Sequence, residues 1–185
     1  MGERAGRNGR TALVVIVVLS LVVSATATAL VAQRAAELRD AERERERGEF
    51  VLEISLITID GEMLNISDFK ARGRPVLVDL MATWCGVCRM QMPMMNATYN
   101  AYKDKIDFVS IDTDWYETDE DLREYRDDYG AEWDFAMDRA GSAFGAFYPD
   151  AYPTLIIIDR DGRVVFSHDG AITQADLLKA VQRVV

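Results

Sequence analysis

Three hydrophobic patterns succeed one another along the 185 residues. From Thr11 to Ala32 there is no charged side chain, and the run built around Ala12-Leu13-Val14-Val15-Ile16-Val17-Val18-Leu19 is long enough to cross a bilayer as one helix of about 20 residues. From Gln33 to Gly48, Arg and Glu alternate without an aromatic residue, which predicts a charged stalk or linker with nothing to bury. From Glu49 onward, short apolar runs alternate with longer amphipathic ones. Phe50 to Ile59 reads as a strand, Asp60-Gly61 as a hairpin turn, and Glu62 to Asn65 as a short return strand. Ser67 to Lys70 predicts one helical turn. Pro75 to Met81 is an apolar, β-branched strand run, and Cys88 to Tyr102 is a longer stretch free of glycine, hence a helix. Ile106 to Asp112 predicts a strand, and Thr118 with Asp119-Glu120-Asp121 caps a helix that ends near Gly130. Trp133 to Met137 predicts a small strand, Ala140 to Phe147 a short helix, and Tyr152 to Asp159 a buried strand. Asp161-Gly162 then turns the chain into a last strand, Arg163 to Ser167. Thr173 to Val184 closes as an amphipathic helix with Ile172, Leu177, Leu178, Val181 and Val184 inward. Strands alternating with helices, followed by a hairpin and a terminal helix, imply a layered α/β domain.

Charge adds a direction to this layout. Arg4, Arg7 and Arg10 precede the apolar run against Glu3 alone, so residues 1–10 are expected in the cytoplasm, residues 11–32 across the membrane, and residues 33–48 and 49–185 outside the cytoplasm. The competing reading is a signal peptide cleaved at Ala25-Thr26-Ala27 or Ala27-Thr28-Ala29, which also exports the domain. The chain's net charge is −10, and its acidity resides wholly after Gly48, where 13 Lys and Arg stand against 25 Asp and Glu. That balance argues against nucleic-acid binding and against docking on an anionic membrane surface. Asp112 to Asp128 is the densest acidic stretch and reads as a solvated helix face, a docking patch for a basic partner being the other reading.

The chemistry is concentrated at Trp84-Cys85-Gly86-Val87-Cys88, which holds the only two cysteines. With a strand ending before Cys85 and a helix starting at it, one helical turn brings the two sulfurs together. The first thiol then lies over unpaired backbone N–H groups and the positive helix end, which favour thiolate. A structural zinc site would need two more Cys or His ligands, and His168 is the only histidine, placed after the last predicted strand as a surface residue. Pro153 opens an apolar strand and removes a ladder donor there. Asp79 lies six residues before Cys85 in a run that reads as buried, where a carboxylate is costly without a partner or a task. Its other reading is a strand edge that meets solvent.

These residues in this order resemble the thioredoxin superfamily, nearest the membrane-anchored TlpA/ResA group of exported thiol–disulfide oxidoreductases. The resemblance rests on Asp60-Gly61, Ala82-Thr83-Trp84-Cys85 with Cys88, Pro93, Tyr152-Pro153-Thr154 and Asp161-Gly162. It implies a thioredoxin-like fold: a central mixed sheet flanked by helices, with an N-terminal β-hairpin and an inserted helix and strand between the active-site helix and the proline strand. It also implies a redox-active Cys85–Cys88 disulfide and a kink at Pro93. Pro153 would be cis and lie against the CxxC, with Tyr152 and Thr154 offering backbone groups to substrate. Asp79 would relay the proton of the inner thiol, and Trp84, Gly86 and Val87 would border the substrate, a plain core role for Trp84 being the alternative. The partners implied are exported proteins with disulfides, apocytochrome c among them as in cytochrome c maturation, and a membrane electron donor of the CcdA/DsbD type. No cofactor or metal is expected.

The chain also departs from the group. Gln91, three residues after Cys88, stands where glutamate is frequent, and amide cannot titrate. Gly86-Val87 contains no histidine to hold a thiolate, which favours a reductant, with a thiol oxidant as the alternative. A second alternative is a Cu(I)-handling module of the same fold, raised by Met90, Met92, Met94 and Met95 behind the CxxC.

Overall fold

The computed structural model describes residues 17–39 and 54–185. The chain divides into two units, Met1–Arg45 and Glu46–Val185. In the first, helix α1 (Val17–Arg39) has 23 residues, roughly 35 Å at about 1.5 Å per residue, against a hydrocarbon core of about 30 Å. Three of its hydroxyls bond within the helix, Ser20 donating to the Val17 carbonyl, Thr26 to Val23 and Thr28 to Ser24. Such bonds pair those three donors in an apolar surrounding. The helix runs through the first residues expected to form the stalk. Residues 1–16 and 40–53 lie outside the described residues, and with them the basic N-terminus, the start of the apolar run, most of the stalk and the first half of the Phe50–Ile59 strand.

The second unit is a seven-stranded sheet ordered β2-β1-β5-β4-β3-β6-β7. In chain order the elements are β1 (Ser55–Thr58), β2 (Met63–Asn65), α2 (Ile66–Ala71), β3 (Val76–Met81), α3 (Gly86–Tyr102), β4 (Asp107–Asp112) and α4 (Asp119–Tyr129). They continue with β5 (Asp134–Met137), α5 (Ser142–Phe147), β6 (Thr154–Ile158), β7 (Val164–Asp169) and α6 (Gln174–Gln182). The sheet is mixed: β3 runs parallel to β4 and antiparallel to β6, and the β1–β2 hairpin adds to β5. Local chemistry sets the boundaries. Gly61 takes φ 87° in the first turn, a conformation that costs a residue with Cβ. Thr118 and Asp121 form a capping box at the start of α4, and Gly130 closes it in the left-handed region.

Strand β3 is buried along its whole length because both faces of the sheet are covered. Leu77 and Met81 join one core cluster with Cys85, Cys88, Met92 and Met95 of the α3 side, whereas Val76, Val78 and Leu80 join the other. By strand alternation Asp79 therefore belongs to the face of Leu77 and Met81. The same parity puts Ser110 and Asp112 of β4 on that face with Phe108.

Asp79 is in a central strand, as its buried reading expects, and not at an edge. Two expectations shift. His168 lies inside β7, half-buried, paired with Leu155, with Nε2 3.0 Å from the Ala171 carbonyl; the strand runs two residues further than its apolar stretch because its outer face is solvated. In α6, Ala180 is buried in place of Leu178, which lies off the stripe of Leu177 and Val181.

Candidate active site

Cys85 is the N-cap of α3, and its Sγ accepts a hydrogen bond of 3.0 Å from the Cys88 backbone N–H. The two cysteines are joined as a disulfide with Cα atoms 5.2 Å apart. No acidic residue occupies the first turn of α3, so the positive end of the helix faces the sulfur unopposed. Pro93 lies inside α3 without ending it. Gly86 is exposed and Val87 is half-buried against the core. Met90 is exposed, Met94 half-buried, and Met92 and Met95 are core residues, so the four thioethers spread around the helix.

Asp79 is 4% exposed. Its Oδ2 accepts a bond of 3.0 Å from Ser110 Oγ, directly beside it in the β3–β4 register, while Oδ1 is buried with no partner among the described residues. Burial pushes its proton affinity up from the ordinary 3.8 to about 7, the Ser110 bond pulling the other way. The Tyr125 hydroxyl from α4 is also buried without a partner among the described residues; burial first, and then the charge of Asp79, hold its proton more tightly than usual.

The loop before Cys85 is tied from three sides. Glu117 accepts from both the Thr83 N–H, at 2.9 Å, and the Thr83 hydroxyl. Arg89 Nε donates to the Thr83 carbonyl at 2.7 Å. Trp84, 62% exposed, donates from Nε1 to Asp114 Oδ2 at 2.6 Å. Below this loop Asp112 is fully buried, and burial together with the Glu117 carboxyl holds its proton far above the usual carboxylate range.

Antiparallel pairing brings the start of β6 to the same sheet end, Leu80 opposite Thr154. The Tyr152–Pro153 peptide is cis. The Tyr152 ring meets Trp84 edge-on at 6.3 Å, and its hydroxyl bonds Thr113, the residue after β4. Thr154 is buried, its hydroxyl spent on the Ala151 carbonyl and on Asp169, so it can offer only its backbone to another chain. Gln91 is buried too, accepting from the Ile172 N–H at 3.2 Å.

Thus Cys85, Cys88, Trp84, Tyr152 and Pro153 gather at one sheet end, with Asp79 in the layer beneath. A core role for Trp84 is excluded by its exposure. Sequence reasoning missed Thr83, Ser110, Asp112 and Glu117. A polar residue inside an apolar strand, the signal that singled out Asp79, was equally present at Ser110; Glu117, in a loop crowded with acids, had no such mark.

A paired dithiol capping the helix that follows the central strand of a mixed sheet, with a cis-proline loop beside it, defines a thioredoxin-like thiol–disulfide oxidoreductase. The AhpC/TSA family profile matches residues 47–167, and the chain belongs to that family. It is 32% identical over 120 residues to the thiol-disulfide oxidoreductase ResA of Bacillus thuringiensis (strain Al Hakam), covering 64% of this chain and 67% of that one. It is 31% identical over 134 residues to the thioredoxin-like protein YneN of Bacillus subtilis (strain 168), covering 71% and 76%. Among solved structures, a putative thiol:disulfide interchange protein DsbE from Chlorobium tepidum aligns with TM-score 0.65 and 26% identity over 72% of this chain and 94% of that chain. MTB dsbF shares the fold, with TM-score 0.66 and 20% identity over 74% and 98%.

Proposed function

We propose that this oxidoreductase works outside the cytoplasm as a reductant of disulfides in exported proteins, held to the membrane by its N-terminal helix. The observation that carries the reading is the Cys85 sulfur capping α3, with Asp79 buried in the layer of Cys88. In the reduced protein, Cys85 thiolate attacks one sulfur of a substrate disulfide; the Cys85–substrate bond forms and the substrate's own S–S bond breaks. Asp79 carboxylate accepts the Cys88 proton, Cys88 attacks Cys85, and the substrate leaves as a dithiol while the enzyme becomes the disulfide. Tyr152 and Pro153 flank the bound segment, with Trp84, Gly86 and Val87 as the facing rim. Two electrons must then return from the cytoplasm, for which a membrane donor of the CcdA/DsbD type is the fitting partner. Apocytochrome c, with its paired haem-binding cysteines, is a substrate of the right class.

The topology in this reading is residues 1–10 inside, 11–32 in the membrane, 33–48 as a stalk and 49–185 outside, supported by Arg4, Arg7 and Arg10 before the apolar run.

Cys88→Ser is expected to accumulate a mixed disulfide through Cys85, seen by mass spectrometry after alkylation. Captured partners attached elsewhere would overturn the nucleophile assignment. Equilibration with glutathione buffers reads the direction, a strongly oxidising potential overturning the reductive one.

A further inference from the structure

Beneath the dithiol lies a chain of buried polar groups. Trp133 Nε1 is 3.0 Å from Ser110 Oγ, and Ser110 Oγ is 3.0 Å from Asp79 Oδ2. An indole nitrogen only donates, so Ser110 Oγ accepts that bond and its single proton is free for Asp79. Oδ2 is thereby held as an acceptor. A proton on Oδ2 would turn the serine's own proton out into a fully buried space, the cost of an unmade hydrogen bond. Oδ1, by contrast, is buried and unpartnered among the described residues.

We infer that Ser110 and Trp133 are positioning residues that assign the exchanging proton to Asp79 Oδ1 and set how readily it leaves. The idea rests on Asp79 as the proton acceptor of Cys88. Ser110 donates to the carboxylate form, so it favours ionisation and opposes the burial of Asp79. Trp133 orients the serine by filling one of its two acceptor positions, so that its proton points to Asp79. Of the ionisable groups, Tyr125 of α4 feels the charge of Asp79 and is itself within electrostatic reach of Tyr129, Arg89 and Asp112, while the two cysteines join the core cluster on the Asp79 face of β3. Among the described residues only Ser110 bonds the Asp79 side chain.

The test is a carbon-13 titration of the Asp79 carboxyl in the full-length chain in detergent, kept in the disulfide form so that neither cysteine titrates. The resonance is assigned by its loss in Asp79→Asn. Ser110→Ala is expected to move the midpoint to higher pH by on the order of one unit, the tenfold change that one charge-assisted bond supplies. Ser110→Thr, which keeps the donor, is expected to restore it, and Trp133→Phe to move it the same way by less. Midpoints that stay at the wild-type value in Ser110→Ala and Trp133→Phe overturn the assignment, as does a Thr variant that shifts like Ala. If Ser110→Ala does not fold, the Trp133→Phe and Ser110→Thr midpoints decide. Because the titration needs no turnover, an unchanged pH–rate profile in Asp79→Asn beside a shifted Ser110→Ala midpoint removes Asp79 from the exchange step alone.

Discussion

Asp79 is a carboxylic acid in the middle of an apolar strand, and its environment explains why it titrates near the pH at which the protein would work. Burial disfavours the charge, one serine bond partly restores it, and the midpoint comes to about 7. A base of that strength is partly ionised at neutral pH and still attracts a proton, the balance that proton transfer needs. Asp79→Asn should therefore slow the resolving attack of Cys88 most between about pH 7 and the ordinary thiol range near 8.5. Below that window the wild-type aspartate is itself protonated; above it the thiol ionises unaided. Stopped-flow exchange with a tryptophan-quenching substrate across pH 5 to 9 checks this, and parallel profiles for both proteins would remove Asp79 from the step. The position was legible in the sequence as a charge amid Val76, Leu77, Val78 and Leu80. Its serine partner was not, because pairing across strands depends on a register set more than thirty residues away.

At the scale of elements, the β4–α4 turn acts as a clasp on the catalytic loop. It holds Thr83 through Glu117, Trp84 through Asp114, and the proline loop through the Thr113–Tyr152 bond. All three contacts converge because β3 and β4 end, and β6 begins, at the same end of the sheet. Glu117→Ala is expected to leave the Thr83 N–H without its acceptor, speeding its amide exchange by about tenfold or more for one lost charge-assisted bond. Exchange turnover should fall several-fold with the pH profile unmoved; unaltered amide protection at Thr83 would contradict the clasp. The capped boundaries of α4 were readable from Thr118 and Gly130, since a cap is a property of a few adjacent residues. The clasp was not, since acids from Asp112 to Asp128 look alike until the fold separates buried Asp112 and tied Glu117 from the solvated helix face.

For the whole molecule, burying titratable groups under the site has a cost that depends on pH. The folded-state proton affinity of Asp79 is raised, so its contribution to stability is present below the ordinary carboxylate range and is lost as pH rises from about 4 through about 7. Three pKa units at about 1.4 kcal/mol each make that loss about 4 kcal/mol in full, of which roughly 2.5 kcal/mol falls between pH 5 and pH 8. Urea unfolding of residues 46–185 at those two values should show a smaller drop in Asp79→Asn than in wild type, and equal drops would contradict the burial argument. Asp112, raised in the same direction, adds to the slope in both proteins. The sequence by itself determined the apolar N-terminal run, the alternation of strand and helix, and the cysteine pair on one helical turn, because each depends on neighbours within a few positions. Only the tertiary structure decided that the Tyr152–Pro153 loop stands beside Cys85, that the Thr154 side chain is turned inward, and that Ser110, Trp133 and Glu117 serve the site. Those relations join residues far apart in the chain, and close packing about a single end of the sheet is what makes them neighbours.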